Sequence, residues 1–340
     1  MIYNRQLPQI NESIRKTKRA ILGLGCSFVQ GFGALDSSIY ETYKWKMNPP
    51  GGSVIRWVLN QAEQQQLVAD FPDISISDAS SSAINFSMHE NARAFTNVLA
   101  TKYFEGKYTP LNFGRSGFGN RAAIKDLHFY PAINWDELEE LIVIYAPTAP
   151  ERLDLISDVS HAINQPHRWT CVWPNPSAVS RKELSTGYKH TISSSKFETL
   201  EQLVHVQDLL TWCKLKKAKL IIVPAFSELY TRDQFIASLL TDFKRDAGGH
   251  IVDIKYNPNN MESAIATTDL WPWENMFYPS NHTNWASSII AHENPLDKTY
   301  FFNYLGVGSP GKWITPCAHP SAKAHDLLAQ QLFEHIRGLQ

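Results

Sequence analysis

The stretch Ala20-Ile21-Leu22-Gly23-Leu24-Gly25-Cys26-Ser27-Phe28-Val29-Gln30-Gly31 decides the fold. Six small or apolar residues run without alternation and end in a glycine turn. A continuous apolar run reads as a strand covered on both faces, which is the habit of parallel sheets. Similar runs follow. Tyr108 to Phe113 reads as a second strand that ends at glycines. Leu141-Ile142-Val143-Ile144-Tyr145 is a third and Lys219-Leu220-Ile221-Ile222-Val223-Pro224 a fourth.

Amphipathic stretches lie between the runs. Residues 90–103 carry Ala92, Phe95, Val98 and Leu99 at helical spacing. Phe197, Leu200, Leu203, Val204, Leu210 and Cys213 form a second stripe. A last helix starts near Pro320-Ser321, carries Ala324, Leu327, Leu328, Leu332 and Ile336, and stops at Gly338. Strand–helix alternation predicts a doubly wound α/β sheet. Active sites in such sheets lie beyond the carboxyl ends of the strands, so the residues just after each run are the ones to inspect. Two stretches break the alternation: 36–87, rich in Ser, Asn and Pro, reads as an insertion. The stretch 256–316 holds Trp271, Trp273, Phe277, Tyr278, Trp285 and Trp313 and reads as an irregular aromatic insertion or lid. With these insertions the chain reads as a single domain spanning 1–340.

Composition bounds the function. The 340 residues are 43% hydrophobic and 19% charged, enough for a large core without a staple. Lys plus Arg is 32 against 33 Asp plus Glu, a net charge of −1. That balance argues against general nucleic-acid binding, which needs a basic face. The basic cluster Arg15-Lys16-Thr17-Lys18-Arg19 reads as a solvated lead-in to the first strand. The start, Met1 to Pro8, has no apolar core of a secretory signal, and no run reaches the ~18 apolar residues of a membrane span. The four cysteines, Cys26, Cys171, Cys213 and Cys317, are scattered, which suits reduced thiols in a soluble, cytoplasmic or virion-associated protein.

Three blocks follow the strands. Ser27 stands in a tight strand-to-helix turn, where backbone N–H groups are at hand for an oxyanion. An N-cap serine is the plainer alternative. A dinucleotide site is a poor fit, because Phe28 stands where the third glycine of G-x-G-x-x-G belongs. Asn112-Phe113-Gly114-Arg115-Ser116-Gly117-Phe118-Gly119-Asn120 lets backbone approach a ligand and offers amide donors, or is an ordinary glycine-rich turn. His319, in Cys317-Ala318-His319-Pro320-Ser321, precedes the last helix and can face a serine across the sheet end. His325, inside that helix, reads as structural or exposed. A metal site built from His282, His292 and His319 matches no spacing of known metal motifs.

Taken together, the three blocks resemble the SGNH (GDSL-like) hydrolases, in the right chain order. Gly25-Cys26-Ser27 and Gly31 stand in the family's G-D-S-x-x-x-G. Asn112, Gly114 and Gly117 match its N-x-G-x-x-G, and His319-Pro320-Ser321 its last block. The resemblance frames residues 20 to 337. It implies a flavodoxin-like three-layer α/β/α fold and ester hydrolysis with no metal or organic cofactor. Ser27 would be the nucleophile and His319 its base and acid, with the N–H groups of Ser27 and Gly117 holding the oxyanion. The overall arrangement also resembles compact phage-encoded members of the family.

The departures are specific. Cys26 replaces the Asp before the serine. The third block, G-x-N-D, is absent, and the third strand runs into Ala146-Pro147-Thr148-Ala149-Pro150-Glu151-Arg152. Asn120 or Thr148 would have to take the role of the block's oxyanion Asn, and Asn112, Thr148 and Arg152 are candidates to line the substrate. The triad Asp, expected two or three residues before the histidine, is replaced by Cys317 and Pro316. A backbone carbonyl or a distant carboxylate such as Asp269 would then orient His319. Two functions follow: an esterase or acylhydrolase acting on a small-molecule or carbohydrate ester, O-deacetylation included, or a binding or structural protein that keeps the fold without the chemistry. Contact between Ser27 Oγ and His319 favours the first. A histidine turned away favours the second.

Overall fold

The computed structural model describes residues 7–47, 55–76, 84–114, 119–125, 127, 133–148, 153–156, 169–172, 195–225, 230–245, 251–293, 313–315 and 319–339. The four apolar runs form one all-parallel sheet. Its strands are β1 (Arg19–Gly25), β2 (Thr109–Asn112), β3 (Glu140–Ala146) and β4 (Lys219–Ile222), in the order β4-β3-β1-β2. The register sets Gly23 beside Asn112 and Gly25 beside Ala146. Pro110 sits in β2, an edge strand, where its missing N–H costs no ladder bond.

Alternate residues of each strand feed two cores. Ala20, Leu22 and Leu24 of β1, with Leu141, Val143 and Tyr145 of β3, face the core shared with the helices Leu7–Thr17, Asn120–Lys125, Ser195–Leu215 and Arg232–Leu240. Ile21, Ile142, Ile144 and Ile221 face the other, with the helices Phe95–Val98, Trp285–Glu293 and Ala322–Gly338. Helices on both faces explain why the strands lack alternation. The basic cluster reads as expected in part: Arg15 and Lys16 close the first helix, at the end that favours cations.

Two helices differ from their expected form. The stretch 90–103 is not one helix. Ser87–Arg93 ends at Ala94, whose extended backbone (φ −61°, ψ 141°) starts a new segment, Phe95–Val98, that widens into a π turn over Leu99–Tyr103. The break falls where Ala94 packs against Gly31. It rephases the buried stripe, so Phe95 and Leu99 are core while Ala92 is exposed. In Ser195–Leu215 the buried stripe is Leu203, Val206, Leu209 and Cys213, whereas Leu200 and Val204 are 36% and 62% exposed. Both stripes have helical spacing, and only the packing chooses between them.

The segment 36–87 includes two short antiparallel ladders, Trp45–Met47 with Ile55–Trp57 and Ser75–Ile76 with Ile84–Asn85. Ile39, Tyr40, Tyr43, Trp57, Leu59, Leu67 and Ile74, with Leu35 just before it, give it a small apolar cluster. In the aromatic stretch 256–316, Met276 bridges to Ile222 beside β4, and the N–H groups of Trp285 and Ala286 donate to the carbonyls of Pro224 and Ala225. Trp271 and Trp285 are each 2% exposed, one in each core, so these two rings are packing and offer no face to a sugar.

The terminal helix begins as expected, with Ser321 as its N-cap accepting from the Ala324 N–H. His325 is fully buried, stacked along Phe95, and its Nδ1 accepts from the Phe95 N–H at 3.1 Å. Burial, with a smaller push from His319, moves its pKa from 6.5 down to about 3. A histidine kept neutral in the fold gives up stability as pH falls below the unfolded value, because only the unfolded chain then takes the proton. Between about pH 6 and 4 this single group should contribute a slope of about 1.4 kcal/mol per pH unit. Stabilities from urea denaturation at several pH values should show that slope as the difference between the wild type and His325→Gln, which keeps an acceptor for Phe95, since Glu90, His89 and His335 contribute equally to both.

Candidate functional site

The order β4-β3-β1-β2 places a topological switch between β1 and β3. The chain leaves β1 in one direction and returns on its other side, opening a crevice at the carboxyl ends of the strands. Ser27 sits at that crevice. Gly25 makes the turn possible: its φ is +153°, and a Cβ there would lie 2.6 Å from the Ala146 carbonyl oxygen. Cys26 is the extended N-cap residue of the short helix Ser27–Gln30 and gives no side-chain cap. Its thiol is buried in the core. Ser27 is therefore the first helical residue and not the N-cap. Its N–H is one of the donors a helix start leaves without an intrahelical acceptor.

His319 reaches this serine from the far end of the chain. Its Nε2 lies 2.8 Å from Ser27 Oγ, across 292 residues. For Nε2 to accept the serine proton, Nδ1 must carry the ring's own hydrogen. Thr315 fixes the histidine's backbone. The Thr315 N–H donates to the His319 carbonyl at 2.8 Å, its hydroxyl donates to the same carbonyl at 3.0 Å, and the His319 N–H donates to that hydroxyl at 3.2 Å. Phe28 and Phe32 set their rings edge to face against the imidazole, at 5.6 and 5.0 Å. Ser27 is 7% exposed and His319 is half-buried.

The other expected residues fare differently. Gly117 and Arg152 lie outside the described residues, as do Pro316 and Cys317. Asn120 is buried, and its amide is committed. Its Nδ2 donates to the Thr148 carbonyl at 3.2 Å and to Gln202 at 2.6 Å, and its Oδ1 accepts from the Thr148 N–H at 2.7 Å. With both amide hydrogens spent, Asn120 braces the loop after β3 and does not serve as an oxyanion donor. Thr148 is fully buried in that brace, so it does not line an open surface. Asn112 is also turned inward. Its Oδ1 accepts from the Gly114 N–H, and its Nδ2 donates to Asn91 Oδ1 at 3.0 Å. It closes a turn and lines no substrate surface. Asp269 pairs with Arg232 at the surface and is not the orienting carboxylate of His319.

His292 lies flat on Trp313, at 4.9 Å and 27°, while His319 bonds Ser27. Among the described residues no group of three His, Cys, Asp or Glu side chains could hold a metal ion, and no helix is long and apolar enough to cross a membrane. Sequence reasoning missed Thr315 and Phe32. The second had a signal, an aromatic residue between Gly31 and Gly33 just after the serine turn. Comparison with protein-family models, with curated proteins and with solved structures gives no match.

Proposed function

We propose that the chain is a serine-dependent esterase or acylhydrolase of the SGNH type on a flavodoxin-like α/β/α scaffold. The observation that carries this reading is the 2.8 Å contact between Ser27 Oγ and His319 Nε2 at the carboxyl end of β1. The strand order agrees with the first four strands of a flavodoxin-like sheet.

The chemistry follows from the geometry. Ser27 Oγ attacks the ester carbonyl carbon as its proton passes to His319 Nε2. The carbonyl oxygen takes the negative charge, and the Ser27 N–H, at a helix start, is the donor that holds it in this reading. The tetrahedral carbon then expels the alcohol, which takes the proton from Nε2 and leaves an acyl group on Ser27. Water, activated by the same histidine, hydrolyses that ester and restores the serine. In acylation one proton passes from Oγ to Nε2 to the leaving alcohol oxygen, and in deacylation one passes from water to Nε2 to Ser27 Oγ.

A fluorophosphonate probe tests the reading directly, because it reacts only with an activated serine. Wild-type protein is expected to be labelled and Ser27→Ala to be silent. A folded wild type that stays unlabelled would instead indicate a binding protein on a hydrolase scaffold.

A further inference from the structure

Of Phe28 and Phe32, the rings described against His319, one is sealed in the core and the other is partly exposed. Phe28 is 4% exposed and packs edge-on against Trp285. Phe32, 5.0 Å from the imidazole, is half-buried. Its position is fixed from three directions. Its own N–H donates to the Ser27 carbonyl at 3.1 Å. The next residue, Gly33, donates its N–H to Glu90 Oε1 at 2.8 Å and accepts from the Tyr40 hydroxyl at 2.9 Å. Glu90 comes from the helix Ser87–Arg93, and Tyr40 from the segment 36–87. Burial, opposed by the Gly33 hydrogen bond, pushes the Glu90 carboxyl up to about 7. Its oxygen accepts from Gly33 whether or not it carries the proton.

The proton route says which half of an ester meets this ring. His319 must deliver its proton to the leaving oxygen, so that oxygen comes within hydrogen-bond reach of Nε2. Whatever is attached to it is carried to the histidine side, where Phe32 stands. The acyl substituent points elsewhere. A flat apolar face on the alcohol can stack on or meet edge-on a phenyl ring, whereas a short alkyl group gains little.

We propose, resting on the esterase reading above, that Phe32 is a specificity-determining residue selecting esters whose alcohol half bears a flat apolar face, and that Glu90 and Tyr40 are positioning residues that hold it. The face can belong to an aromatic ring or to the C–H side of a sugar. The segment 36–87 thereby contributes to the site through Tyr40.

The test compares kcat/KM on benzyl acetate, on a methyl 6-O-acetylglucopyranoside and on ethyl acetate, whose alcohols are of similar acidity. Phe32→Ala is expected to lower kcat/KM about five- to tenfold, mostly through KM, on benzyl acetate, on the sugar ester or on both, which identifies the source of the face. Ethyl acetate should change less than about twofold, and the preference between ethyl acetate and ethyl butyrate should not move. Phe32→Tyr should keep the wild-type preference. Glu90→Ala should reproduce the selective loss, while Glu90→Gln, which still accepts from Gly33, should not. Equal loss on all three esters, or a shift in acyl preference, overturns the inference while leaving the esterase reading intact. Failure of the wild type to label with fluorophosphonate overturns both.

Discussion

His319→Ala is expected to lower ester turnover about 10⁴-fold, and Ser27→Ala by at least as much. Among the described residues, the histidine is the one group in contact with Ser27 Oγ that can take its proton, and a serine hydroxyl at neutral pH is a poor nucleophile without such a base. Because the two side chains act as a unit, the double variant should be no slower than the slower single one. What remains would come from substrate binding and the Ser27 N–H. Neither substitution should unfold the chain. The His319 backbone is held by Thr315, and Ser27 begins a helix whose own bonds do not use its hydroxyl. Single-turnover rates on p-nitrophenyl acetate, with circular dichroism as the control for folding, check the claim. Additive losses in the double variant, or a His319→Ala protein retaining a tenth of the rate, would show that the contact is not a catalytic one.

The pairing was legible because it rests on short local signals. Gly25 before Ser27, and His319 ahead of a capped helix, are each read within a few residues, and the parallel sheet brings their ends together. What was not legible depends on packing between distant parts. Asn120 reads from the sequence as an amide donor at the end of the glycine-rich block. Only the fold shows Gln202, Tyr230 and Thr148 converging on it. Asn112 and Gly114 looked like a ligand-facing turn, and they serve instead to press one piece of backbone on another. The helix phase in Ser195–Leu215 was ambiguous for a similar reason. Leu200 and Val204, in the expected stripe, are as apolar as Val206 and Leu209, which it left out, and nothing local says which pair meets the sheet. Ala94 likewise gives no local warning of a break, since the break is set by its contact with Gly31, more than sixty residues earlier.

Gly114→Ala is expected to be the most damaging substitution outside the Ser27–His319 pair, though it removes no contact. A Cβ at this position would lie 2.1 Å from the Gln30 N, 2.6 Å from the Val29 carbonyl carbon and 2.7 Å from the Gln30 Cα. All three are backbone atoms of the helix that carries Ser27, so no side-chain rotation relieves the overlap. The turn cannot simply swing away either. Asn112 Oδ1 holds the Gly114 N–H at 3.0 Å, and Asn112 Nδ2 holds Asn91 and reaches the Gln30 carbonyl. Relief then requires the Ser27 helix and this turn to separate by roughly an ångström, since carbon contacts settle near ~3.5 Å. Overpacking of this kind costs about 3 kcal/mol. A displacement of that size in a catalytic group costs roughly 10²-fold in turnover. Gly106→Ala is the matched control. Its φ is +73°, but nothing lies within 4 Å of the new methyl, so it should cost about 1–2 kcal/mol for the left-handed backbone alone and leave the rate unchanged. Urea denaturation with ester turnover on both variants separates the two effects. If Gly114→Ala lost no more stability than Gly106→Ala and kept its rate, the close approach between this turn and the Ser27 helix would not be what places the serine.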